Sequence, residues 1–309
     1  MATKPNILVV GSINMDLVVR APAMPAPGET VLGEGFKTTP GGKGANQAVA
    51  AARLGANCQM IGRVGEDDFG GCMLAGLAAD NVDCSMVMKT ADAPTGVAMI
   101  IVDAKGENSI VVASGANFRL TPDDVFSCES AFARADIVLL QLELPLPTVR
   151  AAIEVARRHA CKTILDPAPA PRNMPPELYQ VDIISPNATE AESLTGTQCL
   201  EERVDKQVAS EMVTRGARAA VLKLGPRGCL VVMADGHIYT VPTYKVNVVD
   251  TTAAGDAFTA ALAVAVGQGR SMHEAARFAN AAGALACTKF GAQTAMPMAE
   301  EVEVLMADS

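Results

Sequence analysis

Asp250 and Asp256 bracket the run Thr251-Thr252-Ala253-Ala254-Gly255, and an apolar segment follows. Residues as small as Ala253, Ala254 and Gly255 let a backbone turn tightly and be approached closely. At a helix start their amide N–H groups lack carbonyl partners and favour a bound anion. Asp256, in the first turn, would be repelled by a phosphate there unless the pairing has a chemical reason. Accepting the proton of a hydroxyl that attacks the phosphorus is such a reason. An aspartate in a first turn also stabilises a helix by itself, and the run alone leaves both readings open.

Other groups set polar side chains beside glycine. Pro40-Gly41-Gly42-Lys43-Gly44-Ala45-Asn46-Gln47 is no P-loop, because Gly44 rather than Ser or Thr follows Lys43. Its glycines admit a ligand close to the backbone, and Lys43 and Asn46 offer donors suited to a polyhydroxyl compound. A glycine-rich turn into a helix is the competing reading. In Gly11-Ser12-Ile13-Asn14-Met15-Asp16, the side chains of Asn14 and Asp16 share one strand face. Such a pair can bond vicinal hydroxyls beyond the carboxyl end of a strand, where open α/β sheets bind ligands, or can simply cap a turn. Asn187-Ala188-Thr189-Glu190 has the spacing of a capping box, although Glu190 could instead help place magnesium and its waters. Glu143 stands alone near a strand end, as a partner for a sugar hydroxyl or as a solvated carboxylate.

These residues need a scaffold, and the apolar pattern supplies one. Ile7–Val10, Cys58–Ile61, Ile137–Leu140, Thr163–Leu165, Ile183–Ile184 and Ala219–Leu224 read as buried strands. Helices are expected at Gly44–Leu54, Asp68–Ala79, Thr148–His159, Val204–Arg215, Gly255–Val266 and Met272–Cys287. Strands alternating with helices predict an α/β fold: a doubly wound, mostly parallel sheet flanked by helices. Asp16–Arg20, Glu29–Thr38 and Thr95–Val112 break the rhythm. They predict a small antiparallel β-sheet, with a hairpin of Val97–Val102 and Ser109–Val112 turning through Lys105-Gly106. An exposed sheet of this kind must cover a ligand, pair with a second copy, or both.

The chain has 309 residues, half of them apolar, and a net charge of -9. That is enough to bury a large core, and no basic footprint for nucleic acid is visible. Its eight cysteines form no CxxC pair and it has three histidines, so zinc spacing is absent. Scattered thiols suit a reducing cytoplasm. Met1 to Pro5 holds one lysine and no apolar signal core. The apolar stretch Ala257–Val266 is about half a membrane span, so no membrane partner is expected.

The motifs at Gly11–Asp16, Gly41–Ala48, Asn187–Glu190, Gly225–Gly228 and Asp250–Asp256, in this order and spacing, resemble the ribokinase-like (PfkB) family of carbohydrate kinases. The resemblance spans essentially the whole chain, 1–309, as one unit with a lid from about 13–40 and 94–112. It implies transfer of the terminal phosphate of ATP to a sugar, with the 5-hydroxyl of ribose as the expected acceptor. A different sugar or nucleoside kinase of the family is the alternative, and a sensor without catalysis a weaker one. It implies Asp256 as catalytic base and Ala253, Ala254 and Gly255 as the anion hole. Asn14, Asp16, Gly42, Lys43, Asn46 and Glu143 match sugar positions. Asn187, Glu190, Lys223, Gly225, Gly228 and Asn280 match positions around ATP and Mg2+. Asp250 and Thr252, with Ala286, Lys289, Gly291 and Ala295, match a loop for a monovalent cation, K+. Lys223 stands where threonine is expected and Asn280 where histidine is, both on the adenine side. A homodimer joined through the lid is also expected.

Overall fold

The computed structural model describes residues 4–106 and 108–308. Met1, Ala2 and Thr3, part of the segment read above as lacking a signal core, lie outside them. In chain order the elements are β1 (Asn6–Val10), β2 (Asn14–Arg20), β3 (Gly35–Gly41), α1 (Lys43–Arg53), β4 (Asn57–Gly65), α2 (Asp68–Ala79), β5 (Val82–Thr90), β6 (Gly96–Val102) and β7 (Asn108–Ala113). There follow α3 (Pro122–Ser127), α4 (Glu129–Phe132), β8 (Ile137–Leu140), α5 (Leu146–Arg158), β9 (Lys162–Leu165), β10 (Ile183–Ile184), α6 (Ala188–Thr195) and α7 (Glu202–Thr214). The last are β11 (Ala219–Lys223), β12 (Cys229–Met233), β13 (Ile238–Val241), α8 (Ala254–Gly267), α9 (Met272–Ala286) and α10 (Ala299–Ala307).

The large sheet has nine strands in the order β13-β12-β11-β10-β9-β8-β1-β4-β5. Strands β11 through β5 in that order run parallel, and β12 and β13 are antiparallel additions at one edge. The turn from Leu224 to Gly228 is too short to cross over, so β12 can only return beside β11. The central strands read as continuous apolar runs because both faces are covered. Ile7 and Val9 pack in one core layer with α1, α8 and α9, while Leu8 and Val10 pack in the other with α5 and α7. Alanine-rich α1 and α8 pack on each other, which brings the two motif-bearing helix starts together.

The small sheet forms in the order β3-β2-β6-β7. Pairs β2–β3 and β6–β7 are antiparallel, but β2 and β6 are parallel, contrary to the antiparallel expectation. The chain reaches β6 only after β4, α2 and β5, and a crossover of that length permits parallel pairing where a hairpin does not. The strand expected over Glu29–Thr38 forms later, at Gly35–Gly41, and occupies an edge that tolerates Pro40. Leu32, Phe36, Met99, Ile110 and Val111 are exposed on or beside this sheet.

Candidate active site

Helix α8 begins at Ala254, and its N-cap residue Ala253 is left-handed with φ 57°. For an alanine that conformation costs of order 1–2 kcal/mol. No side chain caps this end, so the first-turn donors face outward to the space before the helix. The Ala254 N–H makes one long contact, 3.3 Å, to the Thr251 carbonyl.

Asp256 is buried in that first turn. Its carboxylate accepts from Asn46 Nδ2 at 3.0 Å and Gln47 Nε2 at 3.1 Å, both from α1. Burial pushes its pKa up to about 6, with the Asp166 charge adding and with Lys43, Asn46 and Gln47 opposing. A carboxylate so poised is a competent base near neutral pH. The Asn46 Oδ1 is buried and has no hydrogen-bond partner among the described residues.

Sequence motifs missed the layer behind Asp256. Gln47 also donates to Asp166 Oδ2 at 3.1 Å and accepts from Gln141 Nε2 at 2.7 Å. Gln47 lay within a quoted motif, but nothing in the sequence joins Asp166 or Gln141 to it. Lys223 reaches this layer: its Nζ donates to Asp166 Oδ1 at 2.9 Å. The reason is positional, since β11 ends beside the start of α8 and a lysine is long enough to span the gap. Asn280 is buried at the other end of this region. Its Nδ2 donates to the carbonyls of Val241 and Pro242 at 3.0 and 3.1 Å, which fixes the segment leaving β13. Gly228, at φ 81°, serves the same place, because a Cβ there would sit 2.1 Å from the Val241 carbonyl oxygen. Gly225 has open space around it.

The candidate sugar residues converge under the small sheet. Glu143 Oε2 accepts from Ser12 Oγ at 2.5 Å, the Lys43 N–H at 3.2 Å and Asn14 Nδ2 at 3.5 Å. Asn117, another residue outside every motif, holds Asn14 by donating to its Oδ1 at 2.7 Å and accepting from the Ile13 N–H at 2.9 Å. Gly42 takes φ 86°, and a Cβ there would meet the Asn14 N at 2.6 Å. Burial, then the charges of Glu143 and Asp256, push the Asp16 carboxyl up to about 7. Burial works against charge on Lys43, but Asp256, Asp166, Glu143 and Glu190 outweigh it and hold the ammonium above its usual range.

Asn187 and Glu190 form the capping box in full: Asn187 Oδ1 takes the Glu190 N–H and Glu190 Oε2 takes the Asn187 N–H. Burial nevertheless raises the Glu190 carboxyl, with Lys223 and Lys43 lowering it and Asp166 raising it, so it belongs to the same electrostatic cluster. Among the described residues no group of three His, Cys, Asp or Glu side chains could hold a metal. Asp250 joins the α8 entrance to the later loop, accepting from Thr252 N–H and Oγ1 and from the Gly291 N–H. Burial opposes it, but these bonds hold the Asp250 carboxyl below the usual carboxylate range. Lys289 turns its ammonium to Glu301, so Lys289, like Ala286 and Ala295, could offer a cation only its carbonyl.

A doubly wound sheet with polar groups gathered between its carboxyl edge and a small covering sheet defines an α/β carbohydrate-kinase architecture. The chain belongs to the pfkB family of carbohydrate kinases, whose family model matches residues 4–299. It is 40% identical over 298 residues to ribokinase of Haemophilus influenzae, covering 96% of this chain and 97% of that one. It is 40% identical over 302 residues to ribokinase of Bacillus subtilis, covering 98% and 99%. The solved structure of Arabidopsis thaliana ribokinase complexed with ribose and ATP superposes with a TM-score of 0.92 at 34% identity, covering 99% of this chain and 100% of that one.

Proposed function

We propose that this protein transfers the terminal phosphoryl group of ATP to the 5-hydroxyl of ribose, giving ribose 5-phosphate and ADP. The observation that carries the reading is Asp256, buried at an uncapped helix start and held by Asn46 and Gln47. The relatives named ribokinase, and the one complexed with ribose and ATP, support the choice of substrates.

In this account one unit, residues 1–309, works with its lid at about 13–40 and 94–112. Asn14, Asp16, Gly42, Lys43, Asn46 and Glu143 bind the sugar. Asp256 takes the proton of the 5-hydroxyl as its oxygen bonds the γ-phosphorus and the bridging bond to ADP breaks. The N–H groups of the Ala253–Gly255 turn stabilise the charge that develops. The lid excludes water, which would otherwise take the phosphate. Asn187, Glu190, Lys223, Gly225, Gly228 and Asn280 border the nucleotide. Magnesium carried by the phosphates would neutralise their charge, with Glu190 holding its waters. The test is ADP release over a sugar panel. Ribose should give higher kcat/KM than 2-deoxyribose or fructose, because a missing hydroxyl leaves buried Asn14 or Asp16 unpaired at about 1–3 kcal/mol each. Equal efficiency for ribose and 2-deoxyribose would contradict the assignment of that pair.

Potassium is expected to raise turnover. Carbonyls of Thr252, Ala286, Lys289, Gly291 and Ala295 would, with Asp250, give an oxygen-rich setting that suits a large monovalent cation better than magnesium, and the bond from the Gly291 N–H to Asp250 supports the reading by joining the two segments. A cation there would brace the turn that aims the α8 donors, and so act on kcat more than on sugar affinity. Identical rates in sodium, potassium and a bulky organic cation at equal ionic strength would remove the cation from the account.

The exposed apolar side chains of Phe36, Met99, Ile110 and Val111 support a homodimer joined through the small sheet. Sedimentation is expected to give a dimer at micromolar concentration, and a monomer would contradict it. The cysteines, all free thiols, favour a cytoplasmic location.

A further inference from the structure

The ion pair of Lys223 and Asp166 lies beneath the helix start, and both side chains are buried. Lys223 is the last residue of β11, so its side chain leaves the sheet at the carboxyl end, where this fold gathers ligands. Besides its bond to Asp166, its Nζ lies 3.3 Å from Thr259 Oγ1. The same atom lies 3.5 Å from the point a Cβ on Gly255 would occupy, against the first turn of α8. A buried pair of this kind adds little net stability, because desolvating two charges offsets their attraction, and an apolar pair would serve the core as well. The charge has another use here. Asp256, Asp166, Asp16, Glu143 and Glu190 crowd a space that must accept phosphate oxygens, and Lys43 and Lys223 are the lysines whose charge Glu190 feels.

Resting on the reading of this site as an ATP-dependent kinase, we infer that Lys223 contacts the transferring phosphoryl group directly. Its ammonium, held on Asp166 in the free enzyme, pivots to the γ-phosphoryl oxygens as they reach the first turn of α8. It stays there while the new O5–P bond forms, the bond to ADP breaks and the proton passes to Asp256. Lys223 neither gains nor loses a proton. It supplies fixed positive charge where negative charge spreads over the equatorial oxygens. A point charge on a flexible stem suits such a pivot. At 3.5 Å from the point a Cβ on Gly255 would occupy, Nζ is already in van der Waals reach of that turn. Asp166 is not abandoned by the movement, because Gln47 Nε2 and Thr259 Oγ1 both donate to its Oδ2.

The experiment compares calorimetric binding of ADP and of the non-hydrolysable β,γ-imido analogue of ATP, without sugar, in wild type, Lys223→Met and Lys223→Arg. Lys223→Met is expected to weaken the analogue at least tenfold while changing ADP less than threefold, with kcat down about 10²-fold. Lys223→Arg should recover much of the analogue's affinity. Because Lys223→Met leaves Asp166 without its cation, the double variant Lys223→Met/Asp166→Asn removes both charges and should show the same selective loss. The inference is overturned if that double variant keeps the wild-type preference for the analogue and a kcat within threefold. It is equally overturned if both nucleotides weaken together with a lowered Tm, which is what a purely structural pair would give. A wild-type enzyme that ignores ribose yet shows the Lys223-dependent preference would overturn the acceptor and uphold this role.

Discussion

Replacing Asp256 with asparagine is expected to lower kcat by roughly 10²–10⁴, the usual share of a general base, while ribose affinity stays close to wild type. The substitution keeps the shape and leaves one oxygen to accept from Asn46 or Gln47, so the bonds that position the side chain are partly kept. What disappears is the basic oxygen. With the Asp256 carboxyl pushed up to about 6, the wild-type rate should also fall as pH drops through that value. The sign follows from the role, because a base must be unprotonated to accept the hydroxyl proton and is protonated below its pKa. Asp256→Asn should lose this acid limb along with its rate. Turnover within a few-fold of wild type, or an unchanged pH profile, would contradict the role of Asp256.

A second large effect is expected at Gly44. A Cβ there would lie 2.5 Å from the Ser12 N and 2.6 Å from the Gly11 Cα, both backbone atoms that cannot rotate away. The Gly44 N–H also donates to Ser12 Oγ, which in turn donates to Glu143. Gly44→Val must therefore part the turn after β1 from the start of α1, and those two segments carry Asn14, Lys43 and Asn46. The KM for ribose should rise at least roughly tenfold, with the KM for ATP much less affected, because a displaced group loses hydrogen bonds worth about 1 kcal/mol or more each. Gly71→Ala in α2 is the control. Nothing lies within 4 Å of a Cβ there, so it should leave kinetics unchanged and the Tm equal or higher. A wild-type ribose KM in Gly44→Val would show that the two segments are not coupled in this way.

What the sequence made legible follows from how local each signal is. The parallel strands and the helices of the large sheet were readable because both faces of the sheet are buried, which leaves unbroken apolar runs such as Ile7–Val10. β5 carries no continuous apolar run to read, because at a sheet edge most of its residues are exposed or half-buried, and β13 is short and partly exposed. The parallel pairing of β2 with β6 depends on a partner far along the chain, which no local pattern encodes. The same division holds at the site. Asp256, Asn14 and Asn46 sit in glycine-rich or small-residue runs that advertise close approach to a ligand. Asp166, Gln141 and Asn117 sit in ordinary surroundings and acquire their places only when sheet, lid and α1 come together. Lys223 is an unusual residue for its position in the sequence, but the direction of its side chain depends on where α8 begins relative to β11.

One phosphoryl group is expected to pass from ATP to the 5-oxygen of ribose. The most direct measurement is phosphorus NMR of the product formed from ribose and ATP with magnesium and potassium, with ADP quantified alongside. The expected result is one phosphomonoester, coupled to the C5 protons, formed in equal amount to ADP, and not formed at comparable rate by Asp256→Asn. ADP appearing with inorganic phosphate alone, or a phosphoester at another carbon, would contradict it.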